Sequence, residues 1–260
     1  MTKGVLLFAF NSPKYDYYKM AVFTAKRVNE LLNLPVTVVT DKDSVTDSYT
    51  FDNTIFTTPN NNNKRDWGIW INKDRFKAFE FSPYDDTILI DTDYLVNSNK
   101  LLKLFELPTD FCCHDTTSFL MQPEVGQELL SSYSFKTLWA TVIKFKKTKR
   151  TEQIFNCLGM IQNNFSHYAN MHGFIHSVYR NDYALTLATR IVNGHSENKM
   201  DIIPWNLIHV NHNRKVYKHD EKSFVILSEQ TQRGKTRKEY IIVKDTDFHM
   251  LNKDNFLELI

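Results

Sequence analysis

The sequence predicts an α/β fold built on a mixed, mainly parallel β-sheet that is flanked by helices. Gly4–Phe10 and Pro35–Asp41 are apolar runs that are typical of buried strands. Between them, Tyr15–Leu32 places apolar side chains at steps of three and four residues, which indicates one face of a helix. Apolar strands that alternate with amphipathic helices are typical of a parallel sheet covered on both faces.

The same patterns predict the later elements. Strands are predicted at Asn53–Thr57, Thr87–Ile90, Tyr94–Val96, Leu138–Phe145, Ile202–Val210, Ser223–Leu227 and Glu239–Val243, with a further unit starting at Asp110–Asp115. Helices are predicted at Lys73–Phe81, Thr151–Asn163 and Asp182–Val192. The polar segment Pro59–Lys64 is predicted to be a loop.

Length and composition are those of an ordinary globular protein. The chain has 260 residues, of which 42% are hydrophobic and 24% are charged, and these values favour one domain, 1–260, over a disordered chain. No apolar run approaches the roughly 20 residues of a membrane span, and Met1-Thr2-Lys3 leads into a strand too short for a signal peptide. We therefore expect a cytoplasmic protein. Cys112, Cys113 and Cys157 lack metal-ligand spacing and are expected to be reduced.

The net charge of +2 does not by itself indicate a nucleic-acid partner. Two short runs are nevertheless basic, Lys144–Arg150 and Arg233–Lys238. Such runs can neutralise phosphates, and the alternative is that each is a solvated loop.

Two aspartates stand at the end of a predicted buried strand. Thr87–Ile90 leads directly into Asp91-Thr92-Asp93. In extended backbone, residues two apart point to the same face, so Asp91 and Asp93 are predicted to converge while Thr92 points elsewhere. Paired carboxylates suit Mg²⁺ or Mn²⁺, which bind through one or two carboxylates together with substrate phosphates. We predict a metal and diphosphate site here; the alternative is that both aspartates merely form a turn.

A second copy of the tripeptide occurs near the C-terminus. Asp245-Thr246-Asp247 follows Tyr240–Val243, but Lys244 intervenes. We predict that this copy is a turn.

The order of elements is Rossmann-like and resembles that of GT-A nucleotide-diphosphosugar transferases, above all the glycosyltransferase family 8 style and its phage-encoded relatives. The stretches Asp74–Phe79 and Tyr84–Val96 resemble the basic helix, the tyrosine-aspartate turn and the metal-binding strand of that family. The resemblance covers most of the chain. It implies that residues 1–110 form the nucleotide-sugar half, and that residues 111–260 form the acceptor half with a C-terminal closing segment.

The resemblance also implies roles for individual residues. Asp91 and Asp93 would hold Mn²⁺ or Mg²⁺, and Arg75 would lie near the phosphates or the donor sugar, where it could assist catalysis. The predicted contacts to the nucleotide sugar are Ala9, Phe10, Asn11, Asp41, Arg75, Thr92 and Lys253.

A third metal ligand and an acceptor-side acid are implied as well. His249 in His249–Lys253 resembles the closing motif of the family, although the spacing is shorter and the usual glycine is absent. His209 and His212 are competing candidates, and any lone histidine can be structural. Asp182 would be a general base or would position the acceptor hydroxyl; its alternative role is helix capping.

These residues favour transfer of a hexosyl or pentosyl group from a nucleotide-diphosphate sugar, with a UDP-sugar as the favoured donor. The acceptor is left open between a hydroxymethylated base in phage DNA, a glycan and a lipid. Phage encoding would place the protein in the host cytoplasm. The alternatives are a sugar-nucleotide nucleotidyltransferase, whose glycine-rich phosphate loop is missing from Phe8–Ser12, and a non-catalytic sugar-binding module. Trp67 and Trp70 are further candidates for a wall of the sugar site.

Overall fold

The computed structural model describes residues 1–58, 64–65, 68–69, 74–120, 122–174, 179–196, 201–220, 223–232 and 235–260. Its strands are β1 Lys3–Phe8, β2 Val36–Thr40, β3 Asn53–Phe56, β4 Lys64–Arg65, β5 Gly68–Ile69, β6 Asp86–Ile90, β7 Tyr94–Leu95, β8 Phe111–His114, β9 Thr117–Phe119, β10 Gln122–Gly126, β11 Trp139–Lys146, β12 Leu207–Val210, β13 Arg214–His219, β14 Ser223–Gln232, β15 Lys235–Lys244 and β16 Phe248–Met250. Its α-helices are α1 Tyr17–Leu32, α2 Ala78–Phe81, α3 Lys149–Asn163, α4 Phe165–Met171, α5 Asn181–Val192 and α6 Lys253–Leu259, and 3-10 turns cover Lys42–Ser44, Asp74–Lys77 and Lys100–Glu106.

The central sheet has the strand order β3-β2-β1-β6-β11-β8. Strands β3, β2, β1 and β6 pair in parallel, and β11 runs antiparallel between β6 and β8. The predicted α/β fold, with a mixed and mainly parallel sheet flanked by helices, is confirmed.

The alternation of side chains in β1 shows how both faces of this sheet are covered. Leu6 packs into a cluster that contains Phe155 of α3 and Leu185 of α5. Val5 and Leu7, on the opposite face, pack into a cluster with residues of α1. Because both faces are buried, the run that forms β1 has to be apolar throughout.

A second, smaller sheet brings the C-terminal segment to the chain that follows β6. Its order is β10-β9-β12-β16-β7, and β16 pairs antiparallel with β7. Strand β7 begins at Tyr94, immediately after the first Asp-Thr-Asp tripeptide. The sheet therefore delivers residues from the last part of the chain to the acidic strand end.

Several predicted bounds differ from those in the structure. The predicted helix over Lys73–Phe81 is a 3-10 turn followed by one α-helical turn, and Ser82-Pro83 ends it. Only the last four residues of Ile202–Val210 are a strand, whereas β14 and β15 are longer than predicted. Among the described residues, no helix combines the length and apolar character that a bilayer crossing requires. The loop residues 59–63, Trp67, Trp70 and Arg233 lie outside the described residues.

Several cations of the first basic run, Lys144–Arg150, contact groups of the protein itself. Lys144 is fully buried in β11, where its ammonium donates to the carbonyl oxygen of Thr109 (2.5 Å) and lies 3.5 Å from the carboxylate of Asp86. Arg150 forms an ion pair with Asp110. Lys144 and Arg150 are therefore engaged inside the protein, whereas Lys149 of the same run is exposed.

We expect Lys144→Met to destabilise the protein by about 3–5 kcal/mol, because it leaves the buried carboxylate of Asp86 without its cation. The measurement is the free energy of unfolding from a urea titration. Lys149→Met, at an exposed position in the same run, is the control and should change that free energy by less than about 0.5 kcal/mol. The double variant Lys144→Met/Asp86→Leu should recover most of the loss, and equal effects of the two single variants would contradict the role of the ion pair.

Candidate functional site

A cavity of about 430 Å³ opens where β1 and β6 end and antiparallel β11 begins. In open α/β sheets, ligands bind outside the carboxyl ends of the strands. The cavity is lined by Phe8, Phe10, Tyr17, Arg75, Asp91, Thr92, Asp93, Thr117, Phe119, Glu128, Trp139, Ala140, Thr141, Arg180, Asn181, Asp182, His209, His249, Leu251 and Lys253. Eight of the site residues predicted from the sequence are among them, and the competing histidine His209 lines the cavity as well; the eight are Phe10, Arg75, Asp91, Thr92, Asp93, Asp182, His249 and Lys253.

The acidic tripeptide is held as a tight turn. The amide of Asp91 donates to the carbonyl oxygen of Thr141 in β11 (3.0 Å), and the carbonyl oxygen of Asp91 accepts from the amide of Tyr94 (3.1 Å). The predicted convergence of Asp91 and Asp93 is confirmed, but the prediction that extended backbone produces it, with Thr92 pointing elsewhere, is wrong. The turn brings Asp91, Thr92 and Asp93 to the same cavity.

Strand β16 completes a set of three potential metal ligands. Its pairing with β7 places His249 opposite Tyr94, next to the acidic turn. One ligand atom from each of Asp91, Asp93 and His249 lies within 4.8 Å of the other two. Two carboxylate oxygens and one imidazole nitrogen are donors that suit Mn²⁺ and Mg²⁺, with the nitrogen favouring the transition metal. The donor set therefore fits a divalent cation.

Each carboxylate also has a basic partner. The Arg75 guanidinium forms an ion pair with Asp91 and donates to the carbonyl oxygen of Ala140. The Lys253 ammonium lies 2.8 Å from Oδ2 of Asp93, and Nε2 of His249 lies 3.3 Å from Oδ1 of the same residue. The two acids are thus surrounded by basic groups from two separate parts of the chain.

These contacts set the charges of the groups. Burial alone would raise the pKa of Asp93, but the nearby Lys253 ammonium and His249 imidazole lower that pKa far below its usual value. Burial would lower the pKa values of Lys253 and His249, and the Asp93 carboxylate raises both instead. Burial raises the pKa of Asp91, with a further contribution from the negative charge of Asp93. Asp93 is therefore the carboxylate that is held most firmly in its charged form.

A second histidine orients His249. Strands β12 and β16 pair in parallel with His209 opposite His249, and the Nδ1 atoms of the two rings lie 3.1 Å apart. Burial, followed by the proximity of His249, lowers the pKa of His209 to about 3, so this ring is neutral and can accept a hydrogen bond. A proton on Nδ1 of His249 would satisfy this contact and would leave Nε2, which faces Asp93, as the ligand atom.

Asp182 lies in the first turn of α5 and does not occupy the cap position, which is Arg180. One of its carboxylate oxygens accepts from the amide of Ala140 (2.9 Å), and the other accepts from the guanidinium of Arg180 (3.0 Å). Its carboxylate thus ties α5 to the start of β11 at the wall of the cavity. The general-base role stays a prediction.

The predicted nucleoside contacts divide into two groups. Phe10 and Thr92 line the cavity, whereas Ala9, Asn11 and Asp41 are not among its lining residues. Ala9 is fully buried. The side chains of Asn11 and Asp41 hydrogen-bond the main chain around the Lys42–Ser44 turn, at distances of 3.2 Å and 2.7 Å. In this structure these two side chains therefore support the loops beside the cavity.

Sequence analysis missed several lining residues. Arg180 and Asn181 directly precede Asp182, and their position at the start of the helix was the available signal. Tyr17, Glu128 and Trp139 come from parts of the chain whose approach to the acidic turn depends on tertiary structure. His212, the other competing histidine, is exposed and does not line the cavity.

No protein-family model and no curated protein matches the sequence. Similar solved structures include the apo-form glycosyltransferase GlyE of Streptococcus pneumoniae TIGR4, with 12% identity, a TM-score of 0.43, and 78% of this chain and 45% of that one covered. The galactosyltransferase LgtC, in complex with donor and acceptor sugar analogues, shows 13% identity, a TM-score of 0.46, and coverage of 70% and 69%. Mouse xyloside xylosyltransferase 1 shows 11% identity, a TM-score of 0.41, and coverage of 73% and 82%. The chain spans about half the length of GlyE, and similarities at this level do not assign a function.

We expect His209→Phe to weaken the binding of Mn²⁺ by about 10- to 100-fold, because the His249 ring loses the hydrogen-bond partner that orients it. The measurement is the free Mn²⁺ signal in electron paramagnetic resonance during a titration of the protein. His209→Asn, whose amide oxygen lies near the position of Nδ1, should keep most of the affinity. Wild-type affinity in both variants would show that the contact between the two rings does not support a metal ligand.

Proposed function

We propose that this protein is a metal-dependent glycosyltransferase that moves a sugar from a nucleotide-diphosphate sugar to a hydroxyl acceptor. One observation carries the proposal: Asp91, Asp93 and His249 converge in a cavity at the strand ends, with Arg75 and Lys253 directly beside them. This combination of hard-metal ligands and fixed cations suits a diphosphate leaving group.

Departure of a nucleoside diphosphate accumulates negative charge on its phosphate oxygens. Mn²⁺ or Mg²⁺ bound by Asp91, Asp93 and His249 would supply charge stabilisation to those oxygens. The Lys253 ammonium, fixed by Asp93 and 3.5 Å from the hydroxyl of Tyr17, would donate to the same oxygens from the side of α6. Arg75 would add a second fixed cation from the side of the Asp74–Lys77 turn.

Residues on either side of the acidic turn would recognise the two substrates. Phe8, Phe10 and Tyr17 offer aromatic surface for the nucleoside at the end of β1 and the start of α1. Trp139, Arg180 and Asp182 line the same cavity from β11 and the start of α5, and we place the acceptor beside them. A UDP-sugar is the donor that the family resemblance favours, and the acceptor hydroxyl belongs to a glycan, a lipid or a modified DNA base.

Asp182 has a supporting role in this proposal. Because both of its oxygens accept internal hydrogen bonds, it fixes Arg180 and the start of β11 as a unit. A base role would require the acceptor hydroxyl to displace one of those two donors.

Nucleotidyl transfer is the second candidate, since such enzymes use carboxylate-bound metal as well. The residues after β1 are Ala9-Phe10-Asn11-Ser12-Pro13, and this loop contains no glycine. A phosphate-cradling loop depends on glycines for close approach of the backbone. This feature favours sugar transfer. A non-catalytic sugar-binding module would use the same cavity without turnover.

The test is a hydrolysis screen of nucleotide sugars with Mn²⁺, in which released nucleoside diphosphate is measured. We expect metal-dependent turnover that Asp93→Asn lowers by about 100-fold or more, because a metal ligand and the partner of Lys253 are lost together. The second tripeptide provides the matched control: Asp245→Asn makes the same change at an exposed residue whose φ of 49° asparagine also tolerates, and it should retain full activity.

The wild-type protein gives an independent readout if Asp93→Asn folds poorly. Removal of divalent metal with EDTA should abolish turnover, and added Mn²⁺ should restore it. Turnover that survives EDTA would contradict the metal role. Release of pyrophosphate from a nucleoside triphosphate and a sugar phosphate would identify a nucleotidyltransferase, and nucleotide binding with no turnover of any substrate would identify a binding module.

A further inference from the structure

The three-stranded sheet of β13, β14 and β15 differs in charge from the rest of the molecule. Residues 214–244 contain nine Lys or Arg and four Asp or Glu, which gives this segment a net charge of +5. The whole chain carries +2, so the remaining residues carry −3. Such an asymmetry is typical of a surface that attracts a polyanion.

One face of this sheet belongs to the protein core. Val216, Phe224, Ile226 and Val243 are buried, and they pack with residues that include Met20 of α1. Because side chains alternate along each strand, the residues between them point outward.

The outer face combines aromatic, aliphatic and basic side chains. The strand register aligns Lys215, Leu227 and Tyr240 in one row and Lys218, Val225 and Ile242 in the next. Tyr217 lies beside Tyr240, with ring centroids 5.3 Å apart. The exposed fractions of Tyr217, Tyr240 and Ile242 are 62%, 52% and 65%. Large apolar and aromatic side chains that are exposed at neighbouring positions indicate an interaction surface.

Further lysines border the two tyrosines. Lys238 is on the outer face of β15, two residues before Tyr240, and forms an exposed ion pair with Glu229 of β14 (3.1 Å). Lys244 lies at the other end of the same strand, and both lysines are exposed. Lysines therefore lie on both edge strands of the sheet, β13 and β15, and on β15 they stand on either side of Tyr240.

We propose that this outer face binds single-stranded nucleic acid. Exposed tyrosine rings are platforms on which bases stack, and lysines at the edges neutralise the backbone phosphates. The shape fits a linear polyanion, since β14 and β15 each have 10 residues, or about 33 Å at about 3.3 Å per residue. An anionic membrane surface is the competing partner. A membrane-binding face would insert a broader apolar area, whereas Ile242 is the single strongly exposed aliphatic residue among the described positions of this face.

The test measures the fluorescence anisotropy of a labelled oligothymidylate of about 20 nucleotides. This length exceeds the roughly 4–16 nucleotides that a single OB fold covers. We expect the full chain to bind it at low salt, with an affinity that falls as salt rises. Lys218→Gln/Lys238→Gln should weaken binding and reduce the magnitude of the slope of log K against log salt by about 1.4. Each phosphate contact to a single strand contributes about 0.7 to that slope, and the double variant removes two contacts. The matched control is Lys146→Gln/Lys149→Gln, which removes the same charge from the other basic run and should leave the slope unchanged.

The tyrosines give a second, salt-independent readout. Tyr217→Ala/Tyr240→Ala should weaken binding by at least about 10-fold, whereas Tyr217→Phe/Tyr240→Phe, which keeps both rings, should bind like the native chain. The proposal is overturned if the native chain does not bind the oligonucleotide at low salt, or if both lysine pairs have equal effects. It is also overturned if the sheet variants lose binding to phosphatidylserine vesicles but not to the oligonucleotide. None of these residues lines the cavity, so nucleotide-sugar turnover reports separately on the proposed transferase.

Discussion

The candidate site depends on holding two carboxylates next to each other, with Asp93 buried and Asp91 only partly exposed. Two adjacent buried negative charges repel one another and lose solvation, so they persist only with positive partners close by. Here the partners are Arg75, from the segment before β6, and Lys253 and His249, from the last part of the chain. The C-terminal segment thus supplies two of the three basic partners that balance this charge. A divalent cation and an anionic ligand can bind here together, because the positive charge of the cation offsets the negative charge of the ligand.

The rest of the fold brings these basic partners next to the two carboxylates. The parallel strands place the acidic turn at an edge where several loops meet, and β16 pairs with β7 so that His249 arrives next to the turn. The second sheet then supplies His209 as the neighbour of His249. A cavity lined by aromatic residues together with Arg180 and Asp182 surrounds this charged centre.

The central strands and helices could be predicted from the sequence because apolar runs and helical spacing are local signals. The direction of β11 could not, since an apolar strand has the same pattern whether it runs parallel or antiparallel. The residues of β14 and β15 that the prediction leaves out include 228–232 and 235–238, which are polar and show no alternating apolar pattern, so both predicted strands are too short. Among the site residues, Asp91 and Asp93 were accessible to prediction, although a turn and not extended backbone brings them together. Arg180, Glu128 and Trp139 reach the cavity through tertiary contacts, which a single sequence does not encode locally.

The second Asp-Thr-Asp tripeptide anchors the C-terminal segment to the chain that follows the first one, across a separation of 150 residues. Oδ1 of Asp247 accepts from the amide of Asn97 (2.7 Å), and the amide of Met250 donates to the carbonyl oxygen of Asp93 (2.9 Å). Two backbone anchors therefore flank His249, and α6 with Lys253 follows directly. A displacement of this segment would therefore withdraw the His249 imidazole and the Lys253 ammonium in the same movement.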